Sequence, residues 1–91
     1  MIVPSISGRF RRDVKRMERR GKDLSKLRVA IDLLCLGHPL PAKYKDHPLV
    51  GDLQGSRDCH LEPDWILIYT RTDHRSGLRL ERTGTHADLF D

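Results

Sequence analysis

Ninety-one residues, 37% hydrophobic and 33% charged, suit one soluble domain (1–91) with a single modest core, and exclude a disordered chain. No apolar run approaches the roughly 20 residues that cross a bilayer, and Met1–Arg12 lacks the apolar stretch of a signal peptide, so the expected location is the cytoplasm, with no membrane partner. The net charge of +4 is uneven: residues 1–38 hold ten Lys/Arg and four Asp/Glu, residues 39–91 seven and nine.

In chain order, Ile2, Val3 and Ile6 predict a short strand, which Pro4 confines to an edge or a late start. Ser5 or Ser7 can cap a first helix, in which Phe10, Val14 and Met17 share one face and Gly21 supplies the stop. Asp23 or Ser25 can cap a second helix ending at Gly37. Its stripe is Leu24, Leu27, Ile31, Leu34 and Cys35, widened by Val29, Ala30, Leu33 and Leu36, so this helix is expected to be the more buried. The short link between the two favours an antiparallel helix pair.

His38–Val50 carries three prolines and reads as irregular or extended. Asp52–Gly55 is weakly strand-like. Arg57–Leu61 is a strand, Glu62-Pro63-Asp64 a turn, and Trp65–Tyr69 a strand apolar on both faces, hence central. Arg71–Gly77 holds a polar hairpin, and Leu78–Thr83 alternates as a half-buried strand that Gly84 ends. The sum is an α+β fold, β-α-α-β-β-β with a possible further strand. Its two helices pack on one face of an antiparallel sheet, leaving the other face for a cleft.

Proton-transfer groups gather in the second half: His47, His60 and His86, with Asp58 and Asp64 nearby. Asp58 and His60 are two apart on a strand and so share a face, opposite Cys59 and Leu61. His47 would have to fold over the cleft from its proline-rich loop. Such groups suit metal-free RNA cleavage, in which a base takes the 2′-hydroxyl proton, an acid protonates the leaving 5′-oxygen and cations steady the phosphorane. Arg57 or Arg82 can supply the cation, and Phe90 can stack on a base. His38 and His74, each in a loop, read as surface residues. Cys35 and Cys59 read as reduced, buried small hydrophobes. No histidine pair has helical metal spacing and no cysteine pair a zinc pattern, so neither metal nor cofactor is expected. The basic run Arg9–Lys22 points to a polyanionic partner, nucleic acid or an acidic protein.

The strings Tyr44–Leu49, Arg57–Tyr69 and Glu81–His86, taken together, closely resemble the YafQ branch of the RelE/ParE toxins of bacterial type II toxin–antitoxin systems. The resemblance covers nearly the whole chain. It implies a microbial-ribonuclease-like fold and a ribosome-dependent endoribonuclease cutting messenger RNA in the decoding site, leaving a 2′,3′-cyclic phosphate and a 5′-hydroxyl. His47, His60, Asp64, His86 and Phe90 match the family's active-site residues, with Asp58 among them. The resemblance makes His47 the base and His86 the acid, an order that could be exchanged; His60 and Asp64 orient groups or stabilise charge. Arg9, Arg12, Arg16 and Arg19 then form a stripe for ribosomal RNA phosphates, and an acidic antitoxin is the other implied partner. The hairpin Arg71–Gly77 is longer and more polar than the family pattern, and Asp91 adds a negative charge beside Phe90.

The competing reading is a ParE-like toxin that binds and inhibits DNA gyrase without cutting nucleic acid. Its fold would be nearly the same, but it has no need of convergent imidazoles. A non-toxic nucleic-acid-binding module has only the basic stripe in its favour, since aromatics are 5% of the chain.

Overall fold

The computed structural model describes residues 2–73 and 76–90. Strand β1 (Ser5–Ile6) starts just after Pro4. Helix α1 (Gly8–Arg19) is capped by Ser7, whose hydroxyl accepts from the Phe10 N–H, and its exit is taken by Gly21 at φ +81°. Helix α2 (Leu24–Cys35) is capped by Asp23 and left through Gly37 at φ +78°. Both caps satisfy amides that the first helical turn leaves unpaired, and both glycines adopt the left-handed geometry that a Cβ disfavours. Edge strand β2 (His47–Pro48) precedes β3 (Arg57–Glu62), β4 (Trp65–Thr72), β5 (Gly77–Gly84) and a short closing helix, α3 (His86–Phe90).

The sheet order is β1-β5-β4-β3-β2. Trp65–Tyr69 lies in the middle strand, as its two-sided hydrophobicity requires. Trp65, Leu67 and Tyr69 face the helices, where they join Phe10 and Met17 of α1 and Leu27, Ala30, Leu34 and Cys35 of α2 in one buried cluster. Ile66 and Ile68 alternate to the opposite face. Both cysteines are free and buried, and burial pushes the Cys59 thiol up to about 12. Among the described residues no helix is long and apolar enough to cross a membrane.

Several expectations need correction. The sheet is mixed, because β1 pairs parallel to β5 (Ser5 with Arg79, Ile6 with Leu80) after the chain has passed through both helices. Asp52–Gly55 is not a strand: Gly51–Leu53 forms a 3-10 turn. The segment before it is more regular than its prolines suggest, with a 3-10 turn at Ala42–Tyr44 and then β2. Val29 and Leu36 do not widen the buried stripe of α2, being 52% and 53% exposed, because they lie beyond the arc that meets the sheet. His74, the tip of the Arg71–Gly77 hairpin and Asp91 lie outside the described residues.

One ionic junction ties the two halves together. Asp13, buried on α1, accepts from Arg82 Nε at 2.6 Å, Arg82 Nη2 at 3.1 Å and the Thr83 N–H at 3.2 Å, and pairs with Arg16 at 2.5 Å. A buried carboxylate persists only when its acceptor sites are filled in this way.

Candidate active site

Strand alternation delivers the first part of the site. Asp58 pairs with Ile68 and His60 with Ile66, so both side chains lie on the face away from the helices. His47 does not hang over the cleft from a loop. It sits in β2, paired with Asp58, and its Nε2 is 3.1 Å from Asp58 Oδ1. Lys45 shapes this approach. Its left-handed φ of 51° ends the 3-10 turn, and its carbonyl lies 2.8 Å from His47 Nδ1. A carbonyl can only accept, so Nδ1 carries a proton and the neutral ring presents its lone pair at Nε2.

His86 arrives from the far end of the sheet, at the start of α3. Its main-chain N–H and its Nδ1 both meet Asp64 Oδ1, at 3.0 and 2.6 Å. These two bonds, the main-chain one first, hold the Asp64 carboxyl below its ordinary value, so it remains ionised and fixes the proton on Nδ1. Nε2 of His86 is thereby left for exchange. The helix is set by a reciprocal cap: the Thr85 N–H donates to Asp88, and the Asp88 N–H donates to the Thr85 hydroxyl. Arg20, the C-terminal cap of α1, grips Asp88 through two N–H donors, at 2.6 and 3.1 Å, and that bond more than any other depresses the Asp88 carboxyl.

The result is a row of rings. His47 and His60 have centroids 6.4 Å apart, His60 and His86 5.8 Å, and His86 and Phe90 6.1 Å. Phe90 is 43% exposed, free to receive a flat partner. Asp58 lies beneath the row, 4% exposed. Burial pushes its carboxyl up, against the opposing pull of His47, His60 and His86 in that order. Its Oδ1 finds no aligned hydrogen bond among the described residues, despite His47 Nε2 at 3.1 Å.

All six residues expected to carry chemistry thus come together: His47, Asp58, His60, Asp64, His86 and Phe90. The two expected cations fare differently. Arg57 alternates to the helix side, where its Nε meets Asp46 at 3.2 Å, so it is not brought to the imidazoles. Arg82 borders the open face, but two of its donors are spent on Asp13. On α1, Arg9, Arg12 and Arg19 are exposed, whereas Arg16 turns toward Asp13, which breaks the expected four-residue stripe. Sequence reasoning missed the supports Asp13, Asp46 and Asp88. Only Asp88 left a legible signal, as the last residue of a Thr-x-x-Asp capping pattern. Among the described residues no group of three or more His, Cys, Asp or Glu is arranged to hold a metal ion.

This α+β fold, with helices on one face and an imidazole row on the other, defines a RelE-like toxin domain. Residues 3–91 match the model of the bacterial toxin of type II toxin-antitoxin systems, YafQ, and the chain belongs to that family. It is 56% identical over 85 residues to the mRNA interferase toxin YafQ of Escherichia coli strain K12, covering 92% of this chain and 90% of that protein. The crystal structure of YafQ from E. coli strain BL21(DE3) superposes with a TM-score of 0.92 at 51% identity, over 100% of both chains. That of the E. coli DinJ–YafQ complex gives 0.91 at 52%, again over 100% of both.

Proposed function

We propose that this protein is an endoribonuclease toxin that cuts messenger RNA in the ribosomal decoding site without a metal or cofactor, and that a cognate acidic antitoxin neutralises it. The observation that carries this reading is the row of three imidazoles at 5.8–6.4 Å spacing, with a carboxylate against each outer ring. The relatives named mRNA interferase and the relative crystallised with DinJ support it.

In this reaction His47 Nε2 takes the proton from a ribose 2′-hydroxyl, and the 2′-oxygen attacks phosphorus. The bond to the 5′-oxygen breaks, and His86 Nε2 delivers a proton to that leaving oxygen. The products are a 2′,3′-cyclic phosphate and a 5′-hydroxyl. Asp58 stabilises the imidazolium formed on His47, and Asp64 keeps His86 ready to donate. His60, between them, faces the phosphoryl oxygens. The remaining N–H donors of Arg82, out of the five in a guanidinium, add positive charge from the side. Phe90 stacks on the base beyond His86. Each proton transfer contributes about 10²–10⁴-fold.

Arg9, Arg12 and Arg19, with Arg16 at their base, contact ribosomal RNA phosphates, a salt-sensitive attachment in the cytoplasm. Attachment matters because the imidazole row is open and exposed, and offers a single strand little binding surface of its own. The ribosome holds the message in line, and free RNA is a poor substrate.

The test is primer extension on a message translated in vitro with the purified protein and with His86→Ala. Codon-phased stops that vanish in the variant are the expected result. No stops with the wild-type protein, together with lost DNA supercoiling in a gyrase assay, would replace this reading by the gyrase-inhibitor one.

A further inference from the structure

Along the strands, the open face continues past the imidazoles into a groove of about 400 Å³. Successive cross-strand rows order the face. His60 pairs with Ile66, and Asp58, under His47, pairs with Ile68. The next row holds Ser56 against Thr70, joined hydroxyl to hydroxyl at 2.9 Å. Ile68 and Arg82 of the Asp58 row line the groove together with Ser56 of the next, so it borders the end of the imidazole row opposite Phe90.

Its walls are of two kinds. One is locked. Thr70 donates to Glu81 at 2.9 Å, Arg79 Nε donates to the other Glu81 oxygen at 2.9 Å, and the Ser7 hydroxyl donates to the Glu81 carbonyl at 2.7 Å. Ile68, 1% exposed, forms an apolar patch on the floor. The other wall is uncommitted. Arg9, Asp52 and Gln54 line the groove, and among the described residues none of their side chains makes a hydrogen bond or ion pair. A rigid, partly apolar cradle rimmed by an amide, a carboxylate and a guanidinium offers donors and acceptors to a flat heterocycle with a phosphate beside it.

We infer that this groove is a base-reading pocket for the nucleotide on the 5′ side of the cut, with Gln54 and Asp52 contacting the base edge. The inference rests on the nuclease reading and takes its polarity from it. The groove shares the cross-strand row of Ile68, Arg82 and Asp58 with His47, which takes the 2′-hydroxyl proton, and that hydroxyl belongs to the 5′-side nucleotide. Phe90, beside His86, serves the 3′ side. The site thus becomes a track with a reader at each end and the phosphodiester between.

The experiment uses a message library randomised around one codon, translated in a reconstituted system, with the cut ends sequenced for the wild-type protein, Gln54→Ala, Asp52→Ala and His86→Ala. Asp52 and Gln54 are exposed, so their variants should fold, which a melting curve verifies. The expected result is that discrimination among bases at the 5′-side nucleotide falls at least about 10-fold in Gln54→Ala or Asp52→Ala, while the preference on the 3′ side is unchanged. An unaltered 5′-side preference in both variants would overturn the pocket, as would a change confined to the 3′ side. Wild-type cutting that His86→Ala abolishes leaves the nuclease reading standing whatever happens to the pocket. Absence of wild-type cutting removes both.

Discussion

At the junction of α1 and β5, Asp13 is buried and its oxygens are saturated by Arg82, Arg16 and a main-chain amide. On the open face, Asp58 is as deeply buried, yet its nearest partner is a half-exposed imidazole and one oxygen lacks an aligned donor. The first carboxylate has partners whose charge is permanent near neutrality, so it holds elements together. The second faces a ring that can gain or lose its proton. Location in the core therefore does not separate structural from chemical acids here; the titratability of the partner does.

The comparison is sharpest when each acid is removed. Asp13→Ala should cost about 3–5 kcal/mol, since it strands Arg82 and an amide, and lower the melting temperature by roughly 4–8 °C per kcal/mol. A loss under about 1 kcal/mol would show the junction to be dispensable. His86→Ala should leave the melting curve nearly unmoved and cut the single-turnover rate at least about 10²-fold. Unchanged cleavage would remove His86 from the chemistry.

Acid titration separates the two kinds of carboxylate further. Asp88 and Asp64 sit below the ordinary 3.8, so the stability they add is complete above that value and is lost as the pH falls toward their lowered values. Asp58 sits above it, so its effect has the opposite sign, with stability lost as the pH rises from 3.8 through its raised value. Chemical denaturation between pH 2 and 7 should show Asp88→Asn with a shallower acid-side decline than wild type. Asp58→Asn should lack the decline just above pH 4, and an identical curve for either variant would contradict its assignment. The smallest effect belongs to the surface pairs of Glu62 with Lys22 and Lys26, both at 2.8 Å. Glu62→Gln should not measurably shift the melting temperature, because exposed ion pairs are screened by solvent.

The frame of the fold was written locally. Ser7 and Asp23 as caps, Gly21 and Gly37 as exits and the two-sided apolar run Trp65–Tyr69 fix the helices and the central strand from neighbours a few residues away. The spacing of Asp58 and His60 likewise placed both on the open face. What stayed hidden depends on distance along the chain. Arg82 and Asp13 are 69 residues apart, and nothing near either one signals the other. The parallel pairing of β1 with β5 is equally remote, and β2 is a strand only because β3 lies beside it. For the same reason a helical wheel showed four equivalent arginines on α1, although one of them leans onto a buried acid.

Gly84 closes β5 immediately before the turn that carries His86. A methyl group there would lie 2.9 Å from both Cβ and Oδ2 of Asp88. The bend into the last helix is therefore as tight as side-chain chemistry permits, and its only hydrogen-for-carbon exchange would act as a wedge. Gly84→Ala would swing the imidazole and the terminal ring outward together, so one methyl two residues before His86 would lengthen the distance a proton must travel.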